Sequence, residues 1–331
     1  MSLAAKAGAG LDGDRVALVT GGAGFIGSHL VDALVSGGAS VRVVDDLSAG
    51  RLENLADVSG AIDFREGDIR DLGSLRSACE GVHTVFHLAA VGSVPRSMKD
   101  PAHTLSVNVG GTANVLTAAR DAGVTRVVYA SSSSVYGDSE TLPKREGEEG
   151  RPLSPYAASK RMNEELADVY GRCFGLELVG LRYFNVFGPR QLPDGPYAAV
   201  IPRFFRACLL GESPVVYGDG SQSRDFTFVS DAVRANLLAA SAAAGACAAA
   251  YNVAGGRAVT VNDLADAVLA LVGRGKPARH EAARPGDIPH SRADLSLVRA
   301  RLGFEPGTTF AEGLAASLGW YERLAAPERV R

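Results

Sequence analysis

The stretch RVALVTGGAGFIGSH, Arg15 to His29, narrows the possible folds more than any other part of the 331-residue chain. RVALVT reads as a buried strand, and GFIGSHLVDALVSGG as the helix that follows it. Gly21, Gly24 and Gly27 stand at their junction. A GxxGxxG pattern is weak by itself, but between a strand and a helix it carries a mechanism. The glycines allow a tight turn and close backbone approach, and a pyrophosphate seated there meets the positive end of the helix dipole. Gly21, Gly24, Phe25, Ile26 and Gly27 are the expected dinucleotide turn.

The alternation continues downstream. SVRVVDD is a second strand, GDIRD ends a third, TVFHLAA is a fourth and RVVYASSS a fifth, with helices between them, one ending near Gly81 and one through VGGTANVLTAARDAG. Strands this continuously apolar, spaced by helices, predict a parallel sheet covered on both faces. Right-handed crossovers make it doubly wound, an α/β fold of the Rossmann type. After LELVGLRYFNVFGP, Leu176 to Pro189, prolines and glycines break the rhythm, and the chain is expected to build a smaller C-terminal substrate-binding lobe. The division is a flexible leader at 1–13, a dinucleotide-binding domain at 14–182 to which 226–255 return, and a lobe from 183–225 and 256–331.

Composition removes several function classes. A net charge of -3 and a pI near 6.1 give no electrostatic case for nucleic acid or an anionic membrane. Cys79, Cys173, Cys208 and Cys247 stand far apart with no CxxC, and the histidines form no HExxH, so neither a metal site nor a disulfide framework is expected and a cytoplasmic location is. The leader MSLAAKAGAGLD lacks the apolar core of a signal peptide. Asn236 to Ala254 carries no charge but is mostly alanine, which fits a helix running into a buried strand better than a membrane span.

Asp45 closes the second strand, where a carboxylate can accept from both hydroxyls of an adenosine ribose and repel a 2′-phosphate. Asp46 adds to that repulsion, so the expected cofactor is NAD. Asp68 and Ile69 end the third strand, and Leu88, Ala89 and Ala90 end the fourth, where small residues leave room for a cofactor to cross the sheet at its switch point.

The fifth strand runs into SSSSVYG, placing the hydroxyls of Ser131 to Ser134 toward the ligand crevice. Some twenty residues on, SPYAASK sets Tyr156 and Lys160 at i, i+4 on one helix face. A free phenol titrates near ~10. An ammonium about 6 Å away, at an effective dielectric of about 20, contributes about 2.8 kcal/mol of attraction and would lower that by about 2 pKa units. A bound nicotinamide cation would lower it further, and Tyr156 is thereby expected to act as a base near neutrality.

TGGAGFIGSH, SSSSVYG, YAASK and RYFNVFGPR together resemble the extended short-chain dehydrogenase/reductases, and more narrowly the nucleotide-sugar 4-epimerases, from about Arg15 to the last helix. The resemblance implies that Tyr156 takes the proton of a sugar 4-hydroxyl as hydride leaves carbon 4 for NAD. Lys160 would hold the nicotinamide ribose, and Ser132 would hydrogen-bond the sugar oxygen. The 4-keto sugar then turns and takes hydride back on its other face. Eliminating relatives carry acidic residues in this loop, where this chain has Ser133 and Ser134, so inversion at carbon 4 is favoured. A UDP-glucuronate decarboxylase or nucleotide-sugar 4,6-dehydratase stays open as the alternative, and a non-catalytic NAD-sensing protein as a third reading.

By the same resemblance, Ser93, Ser132, Ser133, Asn185, Val200, Tyr217, Gln222, Arg224, Arg284 and Asp287 match substrate contacts. Arg224 and Arg284 suit a pyrophosphate, Tyr217 offers a stacking face to uracil, and Asp287 can accept from ribose hydroxyls. Ser291 would leave space for an N-acetyl group, while Arg190, Arg96 or the loop serines would meet a carboxylate. UDP-glucose, UDP-N-acetylglucosamine and UDP-glucuronate all remain candidate substrates. A homodimer through two helices, one bearing the Tyr156–Lys160 pair, is also implied.

Overall fold

The computed structural model describes residues 15–193, 198–283 and 288–326, so the expected leader lies outside the described residues. In chain order the first half runs β1 (Val16–Thr20), α1 (Phe25–Ser36), β2 (Ser40–Asp45), β3 (Ile62–Glu66), α2 (Leu72–Cys79), β4 (Val82–His87), α3 (Val94–Lys99), α4 (Pro101–Leu105), α5 (Thr112–Asp121), β5 (Arg126–Ser132), α6 (Pro155–Phe174) and β6 (Glu177–Tyr183). There follow β7 (Val186–Phe187), α7 (Val200–Leu209), β8 (Val215–Tyr217), β9 (Ser223–Asp225), β10 (Thr227–Phe228), α8 (Val229–Ala240), β11 (Ala249–Val253), β12 (Ala258–Thr260), α9 (Val261–Val272), β13 (Arg279–Glu281), α10 (Ser296–Leu302) and α11 (Phe310–Ala325).

Seven strands pair in parallel in the order β11-β6-β5-β4-β1-β2-β3. The order reverses between β1 and β4, which makes the glycine turn after β1 the switch point of a doubly wound sheet. Strand periodicity divides the side chains between two cores. Ala17 and Val19 of β1 pack with Leu30, Val31 and Leu34 of α1, whereas Leu18 points to the opposite core with Leu75, Leu116 and Leu178. α8 closes the first layer against α1, β5 and β6, and α2, α5 and α6 build the second. The uncharged run from Asn236 is the end of α8 leading into β11, a helix running into a buried strand. Among the described residues no helix is long and apolar enough to cross a membrane.

The lobe has its own core, in which α7, α9 and α11 bring together Phe204, Phe205, Leu264, Leu314 and Tyr321, with the rings of Phe205 and Tyr321 stacked at 4.6 Å. Short strand pairs β8 with β13, β9 with β12, and β7 with β10 frame it. The stretch after 256 does not stay wholly in this lobe. Ala293, Leu295, Val298, Leu302 and Phe304 pack in the core of α1 and α8, because the edge strand β11 needs cover over Tyr251 and Val253.

Between β4 and α5 the sequence had offered no helix, yet α3 and α4 stand there. Each is opened by an acceptor and a proline in its first turn: Ser93 accepts from Arg96 N and Asp100 from His103 N. A wide π-type turn, Ser106–Gly111, then leads into α5.

Candidate active site

Two glycines make the switch point sterically possible. Gly21 has φ +73°, and a Cβ on it would lie 2.6 Å from Ala89 N. A Cβ on Gly27 would lie 2.1 Å from Gly21 O. The β1–α1 turn is thus pressed against the end of β4, which brings Leu88 and Ala89 beside Gly21, with Leu88 N donating to Thr20 O and Ala90 next in the chain. Phe25 and Ile26 begin α1, and no side chain caps that helix at Gly24. A backbone terminus of this kind, walled by glycine, fits a dinucleotide pyrophosphate.

Asp45 closes β2 almost wholly buried. Its Oδ2 accepts from Ala23 N and its Oδ1 from Leu47 N, both at 2.9 Å, so the carboxylate and the glycine turn orient one another. Burial raises its pKa, and the bonds from Leu47 and Ala23 oppose the rise. Each oxygen keeps a second lone pair, which suits ribose hydroxyls. Asp46 is exposed and accepts from Ser48 N and Oγ. The other acid read from the sequence is engaged elsewhere: Asp68 is paired with Arg70 at 2.5 Å, which lowers its pKa. Ile69 is a core side chain against Gly111.

Ser154 caps α6 by accepting from Ala157 N at 3.1 Å, and Pro155 follows in the first turn, which places Tyr156 at the helix start and Lys160 one turn on. Ser132 stands near enough to the Tyr156 hydroxyl to pull its pKa down. Ser132 Oγ also accepts from Ser134 N at 3.2 Å and Ser134 Oγ at 2.9 Å, and Ser133 beside it is half-buried. Lys160 Nζ donates to Ala130 O at 2.7 Å and stands 6.0 Å from the Tyr156 ring centroid.

Two sequence expectations change here. Burial pushes the Tyr156 phenol above its ordinary pKa, with the neighbouring Ser132 pulling down. Burial likewise brings Lys160 down to about 8, against the raising effect of Glu164. Desolvation of both charged forms outweighs their attraction, so the chain alone does not make this phenol acidic. Ser131, moreover, does not face the crevice: its Oγ donates to Glu164 Oε1 at 2.5 Å.

A hydrogen-bonded chain beneath the site was not foreseen. Thr112 Oγ1 donates to Asn108 O at 2.5 Å, which leaves it to accept from His87 Nε2 at 2.9 Å. His87 Nδ1 then accepts from Thr20 Oγ1 at 2.7 Å, and burial pushes this ring down to about pKa 3, so it is neutral. Asn108 spans from Val91 N, at 2.8 Å, to Ser159 Oγ, at 3.0 Å, and Ser159 Oγ donates to Tyr156 O at 2.7 Å. The visible signal was a polar residue beside two glycines in an otherwise helical run, SVNVGGT.

The lobe brings several expected residues together. Gln222 Nε2 donates to Tyr217 O at 2.7 Å, and Arg203 lies over the Tyr217 ring at 5.5 Å. Arg224 Nη1 donates to Ser223 O at 2.9 Å and Pro289 O at 3.3 Å. Asn185, at φ +36°, donates from Nδ2 to Asp225 O at 3.0 Å and so ties the end of β6 to β9. Val200 is the first residue of α7 and Ser93 caps α3. Arg190 is paired with Asp32 of α1 at 2.7 Å rather than left for a substrate carboxylate. Arg284 and Asp287 lie outside the described residues.

The sequence model described as "NAD dependent epimerase/dehydratase family" matches residues 17–254. A UDP-glucose 4-epimerase of Mycolicibacterium smegmatis is 40% identical over 308 residues, covering 92% of this chain and 97% of that protein. The solved structure of a UDP-N-acetylglucosamine 4-epimerase from Methanobrevibacter ruminantium superimposes with a TM-score of 0.90 at 39% identity, covering 94% of this chain and 99% of that one. A dTDP-glucose 4,6-dehydratase from Streptomyces venezuelae, with NAD bound, gives a TM-score of 0.86 at 36% identity, covering 93% and 97%.

Proposed function

The chain belongs to the NAD dependent epimerase/dehydratase family, and within it we propose that the protein inverts carbon 4 of a UDP-sugar through a transient 4-keto intermediate. UDP-glucose, UDP-N-acetylglucosamine and UDP-glucuronate are the candidate substrates. One observation carries the choice of inversion over elimination: the side chains next to Ser132 are the hydroxyls of Ser133 and Ser134, and the nearby carboxylate Glu164 is bound by Arg182 at 2.8 Å. No acid stands in the loop to drive loss of water or carbon dioxide.

The roles follow from position. The turn at Gly21, Gly24 and Gly27 and the first turn of α1 take the pyrophosphate, and Asp45 takes the ribose. NAD, when bound, supplies the hydride acceptor for carbon 4 and a positively charged ring. Tyr156 accepts the 4-hydroxyl proton, Ser132 holds the same oxygen, and Lys160 keeps the cofactor ribose and the charge balance of the phenol. Because burial raises the phenol's pKa in the chain alone, Tyr156 serves as a base only with the cofactor in place. Ser93, Ser133, Asn185, Val200, Tyr217, Gln222 and Arg224 hold the UDP-sugar, with Arg284 and Asp287 proposed alongside them.

A second copy is the proposed partner. Val94 and Met98 of α3 and Met162 and Val169 of α6 are exposed, and Val109, Met162, Leu166 and Val169 line one shallow apolar groove. A cytoplasmic location fits four free thiols. The deciding experiment incubates the purified protein with each UDP-sugar, without added cofactor, and follows the products by NMR. An equilibrium between two 4-epimers supports the proposal, while carbon dioxide release or a stable keto product would replace it with elimination. Tyr156→Phe should abolish turnover and keep NAD bound.

A further inference from the structure

A cluster of buried charge lies behind the Ser131–Tyr136 loop, and none of the roles above uses it. Glu164 stands on α6 one turn beyond Lys160. It accepts from Ser131 Oγ at 2.5 Å, from Arg182 Nε at 2.9 Å and from Arg182 Nη2 at 2.8 Å. Arg182, on β6, donates through Nη1 to the Tyr136 hydroxyl at 3.0 Å and to Glu149. Its guanidinium carbon is 5.1 Å from the Tyr136 ring centroid. Tyr136 donates onward to Asn252 Oδ1 of β11 at 2.7 Å. The side chains of Arg182, Glu149 and Glu164 are 7%, 10% and 11% exposed, so the cluster is almost dry.

Buried ion pairs are weak sources of stability, and apolar replacements of similar volume are often as stable or more so. What this pair does supply is placement. Ser131 precedes Ser132 and is tied to α6 through Glu164. Tyr136 ends the same loop and is tied through Arg182 to the same carboxylate. α6 also carries Tyr156 and Lys160. Both ends of the Ser132 loop are thus referred to the helix that presents the tyrosine.

We infer that the Glu164–Arg182 pair is a positioning device that sets the Ser132 hydroxyl against Tyr156. It rests on the roles proposed above for those two residues. Glu164 has a second consequence, since its charge opposes the burial that lowers the Lys160 pKa and so helps keep the amine protonated for its bond to Ala130 O. Neither Glu164 nor Arg182 need touch the substrate. A misplacement of about 1 Å in a reacting pair costs about a hundredfold in rate, and that sets the scale of the effect.

The test compares Glu164→Gln and the triple variant Glu149→Gln/Glu164→Gln/Arg182→Met with the unmodified holoenzyme, using the UDP-sugar that the enzyme turns over. NAD content and melting temperature are measured on each. The expected result is a folded, NAD-loaded protein with kcat lowered about 10- to 100-fold and KM changed less than about twofold. If the single variant fails to fold because Arg182 is left with Glu149 alone, the triple variant, which leaves none of the three charges buried, decides. A folded, NAD-loaded variant with kcat within about twofold of the parent overturns the inference, as does a loss of kcat that merely tracks loss of NAD. Tyr156→Phe is run alongside: full turnover in that variant would sink the roles of Tyr156 and Ser132 themselves, separately from the positioning device.

Discussion

Replacing Asp45 by asparagine exchanges one carboxylate oxygen for an amide nitrogen and leaves the size of the side chain unchanged. Each native oxygen takes one backbone N–H, from Ala23 and from Leu47, at 2.9 Å. The amide oxygen can serve one of these. The NH2 then faces the other, donor against donor. A buried donor without an acceptor costs about 1–3 kcal/mol, so the turn that joins β1 to α1 should loosen by that amount. The proposed ribose hydroxyls lose a charged acceptor at the same time, and bonds to charged groups exceed neutral ones by about 1–2 kcal/mol. NAD should therefore bind about five- to thirtyfold more weakly. Calorimetric titration of cofactor-stripped protein measures the affinity, and a thermal scan of the same sample measures the fold. An asparagine variant with unchanged NAD affinity and unchanged melting would show that Asp45 neither braces the turn nor holds the ribose.

Asp225 offers a pH test. It is fully buried, with Oδ2 accepting from Ala293 N at 3.2 Å, and burial pushes its pKa up to about 6 from 3.8. A carboxyl that keeps its proton to higher pH when folded stabilises the fold below its unfolded pKa and loses that contribution as pH rises through about 6, a change of about 3 kcal/mol. Asp225→Asn should flatten the stability profile between about pH 4 and 6, relative to the parent, in urea titrations; an unaltered slope would assign that region to other groups. Met162→Glu places a charge in the apolar groove between the Ser106–Gly111 turn and α6, and light scattering should then report a monomer where the parent is a dimer. A parent that is already monomeric refutes the proposed second copy.

Local pattern carried most of the sheet. Continuous apolar runs separated by helical ones were enough to read strands such as β1, β5 and β6, because a strand buried on both faces leaves no polar alternation to confuse it. The glycine turn was legible for a related reason: a Cβ at Gly21 or Gly27 has nowhere to go. What escaped were facts decided by distant neighbours. The phenol of Tyr156 was expected to be acidified by a lysine four residues away, but burial, which no spacing reports, has the larger effect. Ser131 looked like a crevice hydroxyl until Glu164, on another element, claimed it. The covering of β11 by Ala293 to Phe304 likewise joins segments far apart in the chain. α3 and α4 are a different case, since Ser93 with Pro95 and Asp100 with Pro101 were readable start signals.

The bond from Tyr136 to Asn252 spans 116 positions of sequence. During synthesis, the strands flanking the dinucleotide turn leave the ribosome early and can pair at once. The serine loop is by then also complete, but its far anchor has not been made, and Tyr136 has no Asn252 to receive its proton. The anchors of this loop on Glu164 and Arg182 thus precede the Asn252 anchor in the chain, and the last one is added only with β11, the strand of the sheet that is made last.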